Sequence, residues 1–290
     1  MGIARIRRIL SSAAAGWWAD RALSMGASIA FYTLFALAPM LLTAVAVAGL
    51  AFGREAAQGA LVSELAALIG TTGAEALEGM LANAWAKGTG VLATIIGTVT
   101  FLVLMTGAFV ELQDSLNLIW KAKPSSRNVG LAFVRSRLMS FAFVIGIGFL
   151  LLVSLALDAA LAALGTYLGN ALPGWPTLLL AFNTALSLGS STLLFATIFK
   201  VLPDAPVAWH DAWVGGIVTG LMFTLGKFLI GFYIGQTGVA SAYGAAASIV
   251  TILLWIYYSS QIVLFGAEIT KAYGDTRSAR AEPVRRNLTR

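Results

Sequence analysis

The sequence predicts an all-α fold: a polytopic membrane bundle of six transmembrane helices, with amphipathic helices between the first two. Three observations predict it. The 290 residues are 59% hydrophobic and 11% charged, whereas soluble domains carry about 25% charged residues. Six stretches stay apolar for the roughly 20 residues needed to cross about 30 Å of hydrocarbon. Lys and Arg are also segregated between alternate connections, as the positive-inside rule requires of a multi-pass protein.

The elements follow in chain order. Residues 1–24 read as a cytoplasmic interfacial segment, because Ile3, Ile6, Leu10, Ala13 and Trp17 recur at helical spacing opposite Arg5, Arg8 and Ser12. Such a helix lies in the interface with Trp17 and Trp18 at headgroup depth, and a frayed, solvated tail fits the pattern equally well. The weakly apolar run after Arg8 ends at Asp20 and Arg21, so no signal-peptide cleavage is expected. The membrane domain, 25–272, contains spans at 25–52, 90–118, 138–164, 176–200, 210–234 and 243–270. Pro39 predicts a kink in the first. The fifth is the weakest, since glycines and Lys227 dilute it.

Between the first two spans, 54–87 is too polar to cross. Ala57, Leu61, Leu65 and Leu68 form one helical stripe there, and Leu77, Met80, Leu81 and Ala84 another. Gly70 to Gly73 separates them, with Thr72 and Glu75 spaced as a capping box. Two periplasmic amphipathic helices are expected. Residues 273–290 are basic and poor in apolar groups, which reads as a disordered cytoplasmic tail.

All nineteen Lys and Arg residues have a place in this topology. The N-terminal segment, the 119–137 connection, Lys200 and the C-terminal segment hold sixteen between them, while only Arg54 and Lys87 fall on the other side. Both termini are therefore expected in the cytoplasm of a bacterial inner membrane. That asymmetry accounts for the net charge of +6 without a nucleic-acid partner. The chain has no cysteine and a single histidine, His210, which excludes thiolate chemistry and a His-rich metal centre. No GxxxxGK[ST] loop occurs. No enzymatic activity, cofactor or metal is expected.

Ionisable residues inside a membrane are costly, and each marks a candidate site. Glu111 and Asp114 share a helical face in the second span, with Asn117 a turn further on. Lys227 sits near the middle of the fifth span and Glu268 toward the end of the sixth. Tyr32 is a softer candidate in the first. A structural salt bridge and a solute-contacting charge are both open for Lys227. Glycines at 215, 216, 220, 226, 231 and 235 with the small residues opening the sixth span predict close packing of the fifth span against the sixth, or a glycine-broken helix lining a cavity.

The run Ala30 to Pro39, the Leu116-Asn117-Leu-Ile-Trp120 ending of the second span, Tyr243-Gly244, and Leu254 to Tyr257 through Leu264 to Glu268 resemble the YihY/virulence factor BrkB family over roughly 10–275. The resemblance implies a six-helix bacterial inner-membrane protein in which Lys227, Glu268, Asp114, Asn117 and Tyr32 match characteristic positions. It also implies links to envelope integrity, serum resistance and lipid or lipopolysaccharide export. The family's old label, ribonuclease BN, is not supported by this sequence, which lacks a His-rich motif and a basic nucleic-acid face. Phe265 replaces a common Leu, and the tail is short.

Together these features predict a transporter or lipid-handling protein with a polar cavity around Lys227, flanked by Glu268, Glu111, Asp114, Asn117 and Tyr32. Its expected partners are membrane lipids with anionic headgroups and a small-molecule or lipid substrate. The alternative is a non-transporting scaffold for envelope assembly that binds partners through 54–87.

Overall fold

The computed structural model describes residues 3–53, 55, 58–59, 61–63, 74, 78–79, 82, 91–122, 175–236 and 247–288. All regular structure among them is α-helical. Six helices are continuous: α1 (Ile3–Ala19), α2 (Ala22–Phe52), α3 (Val91–Ile119), α4 (Trp175–Val201), α5 (Trp209–Gln236) and α6 (Ala247–Leu288). Five of the expected spans thus coincide with helices. The expected span at 138–164 lies outside the described residues, as do Tyr243-Gly244 and the Gly70 to Gly73 break. The described positions from 55 to 82 are helical.

Side-chain exposure supports a lipid environment. Along α5, Trp209, Trp213, Ile217, Leu221, Leu225 and Leu229 recur every four residues, and all are exposed. At 1.5 Å per residue that stripe runs about 30 Å, the thickness of a hydrocarbon core. A winding row of exposed apolar residues of this length is a liability in water and an ordinary surface in lipid. Among the described residues, Thr184–Val201 and Ile249–Ala279 are long and apolar enough to cross a membrane.

The chain divides into two compact units, one of 1–20, 116–222 and 265–290 and the other of 21–115 and 223–264. In the first unit, α1 packs on α6 through Ile9 and Ala13 against Ile269, Ala272 and Tyr273, joined by Val214, Val218, Met222 and Phe265. The buried stripe is therefore Ile9 and Ala13, while Ile3, Ile6 and Leu10 stay exposed. Tertiary packing takes the Ile9 and Ala13 edge of the helix and leaves Ile3, Ile6 and Leu10 free to meet lipid.

In the same unit, helices α4, α5 and α6 cross at small residues. A Cβ at Gly216 would stand 2.7 Å from the Thr192 carbonyl and 2.9 Å from the Ala196 amide, so α5 lies against the α4 backbone there. Toward α6 the contact is reciprocal. Gly215 faces Thr270 and Gly266 faces Thr219, the pairing of two antiparallel Gly-xxx-Thr motifs. Each threonine hydroxyl donates to the carbonyl four residues back, Thr219 to Gly215 and Thr270 to Gly266, both at 2.7 Å. The polar groups are satisfied within their own helices, which permits close approach in lipid. The glycines of α5 accordingly serve α4 as well as the expected α6.

Helix α3 ends in a Schellman motif. Ala122 N donates to Asn117 O at 2.8 Å and Lys121 N to Leu118 O at 3.1 Å, with Lys121 at φ 50°. The connection from α4 to α5 is held by Lys200, whose Nζ donates to Val207 O and lies 5.8 Å from the Trp209 ring centroid.

In the second unit, the Gln261 amide donates to Ala22 O at 3.2 Å across Gly26. The Tyr32 ring rests on Gly107, Tyr258 and Ile262 on Gly226, and Phe223 meets Trp255 edge-on at 5.9 Å. Helix α2 runs unbroken through Pro39. One expectation fails outright: the tail is not disordered from Gly274, because α6 continues to Leu288. Tyr273 and Arg277 make tertiary contacts that carry the helix beyond the apolar run.

Candidate functional site

Among the candidate residues whose side chains are described, Glu268 is the most deeply buried, at 2% exposure. It lies on α6 where α1 crosses. Its Oε2 fits against Gly16, where an added Cβ would collide with it. Just past the end of α1, Asp20 is among the charged groups near Glu268, and the Asp20 amide continues the helical path by donating to Gly16 O at 2.8 Å. Lys271 and Lys121 are the nearby cations. Among the described residues neither forms an ion pair with Glu268, and Glu268 Oε1 has no hydrogen-bond partner. A carboxylate with an unsatisfied oxygen in a low-dielectric setting is expensive.

Asn117 is committed to the fold of the same unit. Its Nδ2 donates to Asp204 Oδ2 at 3.2 Å and its Oδ1 accepts from Asp204 N at 2.7 Å. Both ends of the amide thus tie the end of α3 to the connection between α4 and α5.

The remaining candidates belong to the second unit. Tyr32 is partly exposed against Gly107. Glu111 is half-buried and Asp114 exposed, on α3. Lys227 falls within α5, and its side chain lies outside the described residues. In this unit Thr251 Oγ1, Trp255 Nε1 and Gln261 Oε1 are buried without hydrogen-bond partners, and Thr251 is 1% exposed.

Sequence reasoning missed two features. Asp20 marks the end of an apolar run in the sequence, yet it is half-buried just past α1, one turn beyond Gly16 and near Glu268. The i, i+4 spacing of Gly16 and Asp20 was the available signal. The second is a polar cluster on α5 and α6. His210 stacks on Tyr273 at 5.7 Å and 11°, the Arg5 guanidinium lies 5.2 Å from the same ring centroid, and Arg277 Nη2 donates to Asp211 Oδ2 at 3.0 Å. Asp211 is buried beside Gly274 and also favours the positive end of α5. These contacts clamp the ends of α1, α5 and α6. Among the described residues, no group of three or more His, Asp or Glu side chains is placed to hold a metal ion.

The profile of the virulence factor BrkB family matches residues 13–288. The chain belongs to this family. Among BrkB-family relatives, a UPF0761 membrane protein of Pseudomonas aeruginosa is 30% identical over 251 residues, 86% of this chain and 58% of the relative. One from Verminephrobacter eiseniae is 31% identical over 84% of this chain and 56% of the relative. One from Neisseria meningitidis is 29% identical over 87% and 60% respectively. The chain spans less than two thirds of the length of these relatives. No solved structure matches it. With the lipid-compatible surfaces of its helices, membership establishes an integral membrane protein.

Proposed function

We propose that this protein is a transporter or lipid-handling exporter of the cell envelope, and that an anionic solute or lipid headgroup meets Lys227 on α5. The observation that carries the reading is Glu268, a carboxyl buried in an apolar helix with no ion pair among the described residues. A scaffold has no use for such a group, whereas substrate and ion pathways are built from them. Lys227 supplies positive charge on α5, with Glu111 and Asp114 as counter-charges and Tyr32 at the polar margin. The proposal includes six spans, both termini in the cytoplasm of the inner membrane, and 54–87 in the periplasm. Lacking a P-loop, active transport draws on an ion gradient or a separate ATPase.

The test is native mass spectrometry of protein released from mild detergent, comparing wild type with Lys227→Met. Wild type is expected to retain an anionic lipid or solute that the variant loses while keeping its fold, with a matching loss of transport in liposomes. Equal retention by both, or retention by neither, favours the scaffold reading and directs attention to partners of 54–87.

A further inference from the structure

In the second unit, the face of α6 that meets α5 carries two buried polar groups with no partner. Trp255 lies edge-on to Phe223 at 5.9 Å, and Tyr258 and Ile262 close on Gly226, which fixes that face. Thr251 stands one turn before Trp255 on it, a spacing that sets the two Cβ atoms about 6 Å apart. Thr251 is 1% exposed, and neither its Oγ1 nor Trp255 Nε1 has a hydrogen-bond partner. The buried hydroxyls of Thr219 and Thr270 bond their own helix backbone, whereas that of Thr251 does not. An indole N–H only donates and a hydroxyl can donate, so what the pair lacks is acceptors. Sealing such groups away unpaired is costly. On α5, Leu225 and Leu229 belong to the exposed stripe. Position 227 lies about half a turn from each and one turn after Phe223, on the side of α5 turned away from that stripe.

We infer that Thr251 and Trp255 are the neutral hydrogen-bond donors of the anion site at Lys227, and that its ligand is an oxyanion of the phosphate or carboxylate class. The inference rests on the proposed meeting of an anion with Lys227 and adds the residues that recognise its oxygens. A phosphate or carboxylate offers at least two acceptor oxygens, enough for the hydroxyl and the indole N–H together, and hydrogen bonds to an ionised acceptor are the strong ones. Both donors are closed off from solvent, so the anion reaches them when α5 and α6 part.

The test titrates the purified protein in mild detergent with phosphatidylglycerol, phosphatidylcholine and inorganic phosphate, read by native mass spectrometry for the lipids and by calorimetry for phosphate. Wild type is expected to prefer phosphatidylglycerol to phosphatidylcholine, or to bind inorganic phosphate. Displacement of the lipid by inorganic phosphate supports a site for the bare oxyanion, and lipid that phosphate does not displace supports a headgroup site. Thr251→Val and Trp255→Phe each delete one donor and keep most of the side chain. Each is expected to weaken the bound probe by about tenfold, while the melting temperature without added anion holds or rises, since no bond within the protein is lost. A merely structural role would lower the melting temperature and leave affinity alone. Should Trp255→Phe fail to fold, Thr251→Val carries the test. Unchanged affinity in both variants, with the probe still lost in Lys227→Met, would overturn the donor pair and leave the reading at Lys227 standing. Weakening in both with Lys227→Met unaffected keeps the donors and removes Lys227 from the site. Binding of no probe by wild type would overturn both.

Discussion

Asn117 illustrates how a polar residue near the end of a membrane helix serves the fold. Both atoms of its amide bond Asp204, at 3.2 and 2.7 Å. Removing the amide in Asn117→Ala is expected to cost about 1 kcal/mol, the net worth of exposed neutral and charge-assisted hydrogen bonds. Thermal unfolding in detergent measures it. Adding Asp204→Ala to Asn117→Ala is expected to cost less than Asp204→Ala alone, because the partners form one unit. Full additivity would show that the pair does not couple. At Glu268 the opposite holds. Its Oε1 has no hydrogen-bond partner among the described residues.

At the scale of the element, helix–helix spacing is decided by what stands opposite each glycine. Gly216 meets the backbone of α4, which has no room to yield, whereas Gly189 has nothing within 4 Å. Gly216→Ala is therefore expected to destabilise by about 1 to 3 kcal/mol through overpacking, and Gly189→Ala to be neutral or stabilising by up to about 1 kcal/mol through helix propensity. Melting temperatures of the two variants side by side check the ordering, and equal effects would mean that α4 and α5 do not approach this closely. The same spacing puts Thr219 and Thr270 into reciprocal contact with glycines, a pattern that neither α5 nor α6 reveals alone.

For the molecule as a whole, the expected topology makes a sharp prediction. Single cysteines at Ser11 and Pro206, both exposed, are expected to resist an impermeant maleimide added to spheroplasts, and one at Glu55 to react. The positive-inside asymmetry, sixteen Lys and Arg against two, drives the expectation. Labelling at Ser11 with none at Glu55 would invert the topology. The stripe of exposed apolar residues on α5 is consistent with either orientation, since lipid contact does not report direction.

The amino-acid sequence by itself determined the helical class, the membrane setting and the position of five helices, because apolar length and charge segregation are properties of a single chain segment facing lipid. The same locality made Lys227, Glu111, Asp114 and Glu268 visible as candidates. Tertiary structure alone decided which edge of the α1 stripe is buried, that α6 continues past Gly274, that Asn117 belongs to Asp204, and that Asp20 lies beside Glu268. Each of these depends on contact between segments at least 66 residues apart in the chain, as with Asp211 and Arg277 or Ile9 and Tyr273. No periodicity within one helix encodes which residue of another will stand opposite it. In an apolar medium that opposing residue determines whether a buried polar group is paired or left without a partner.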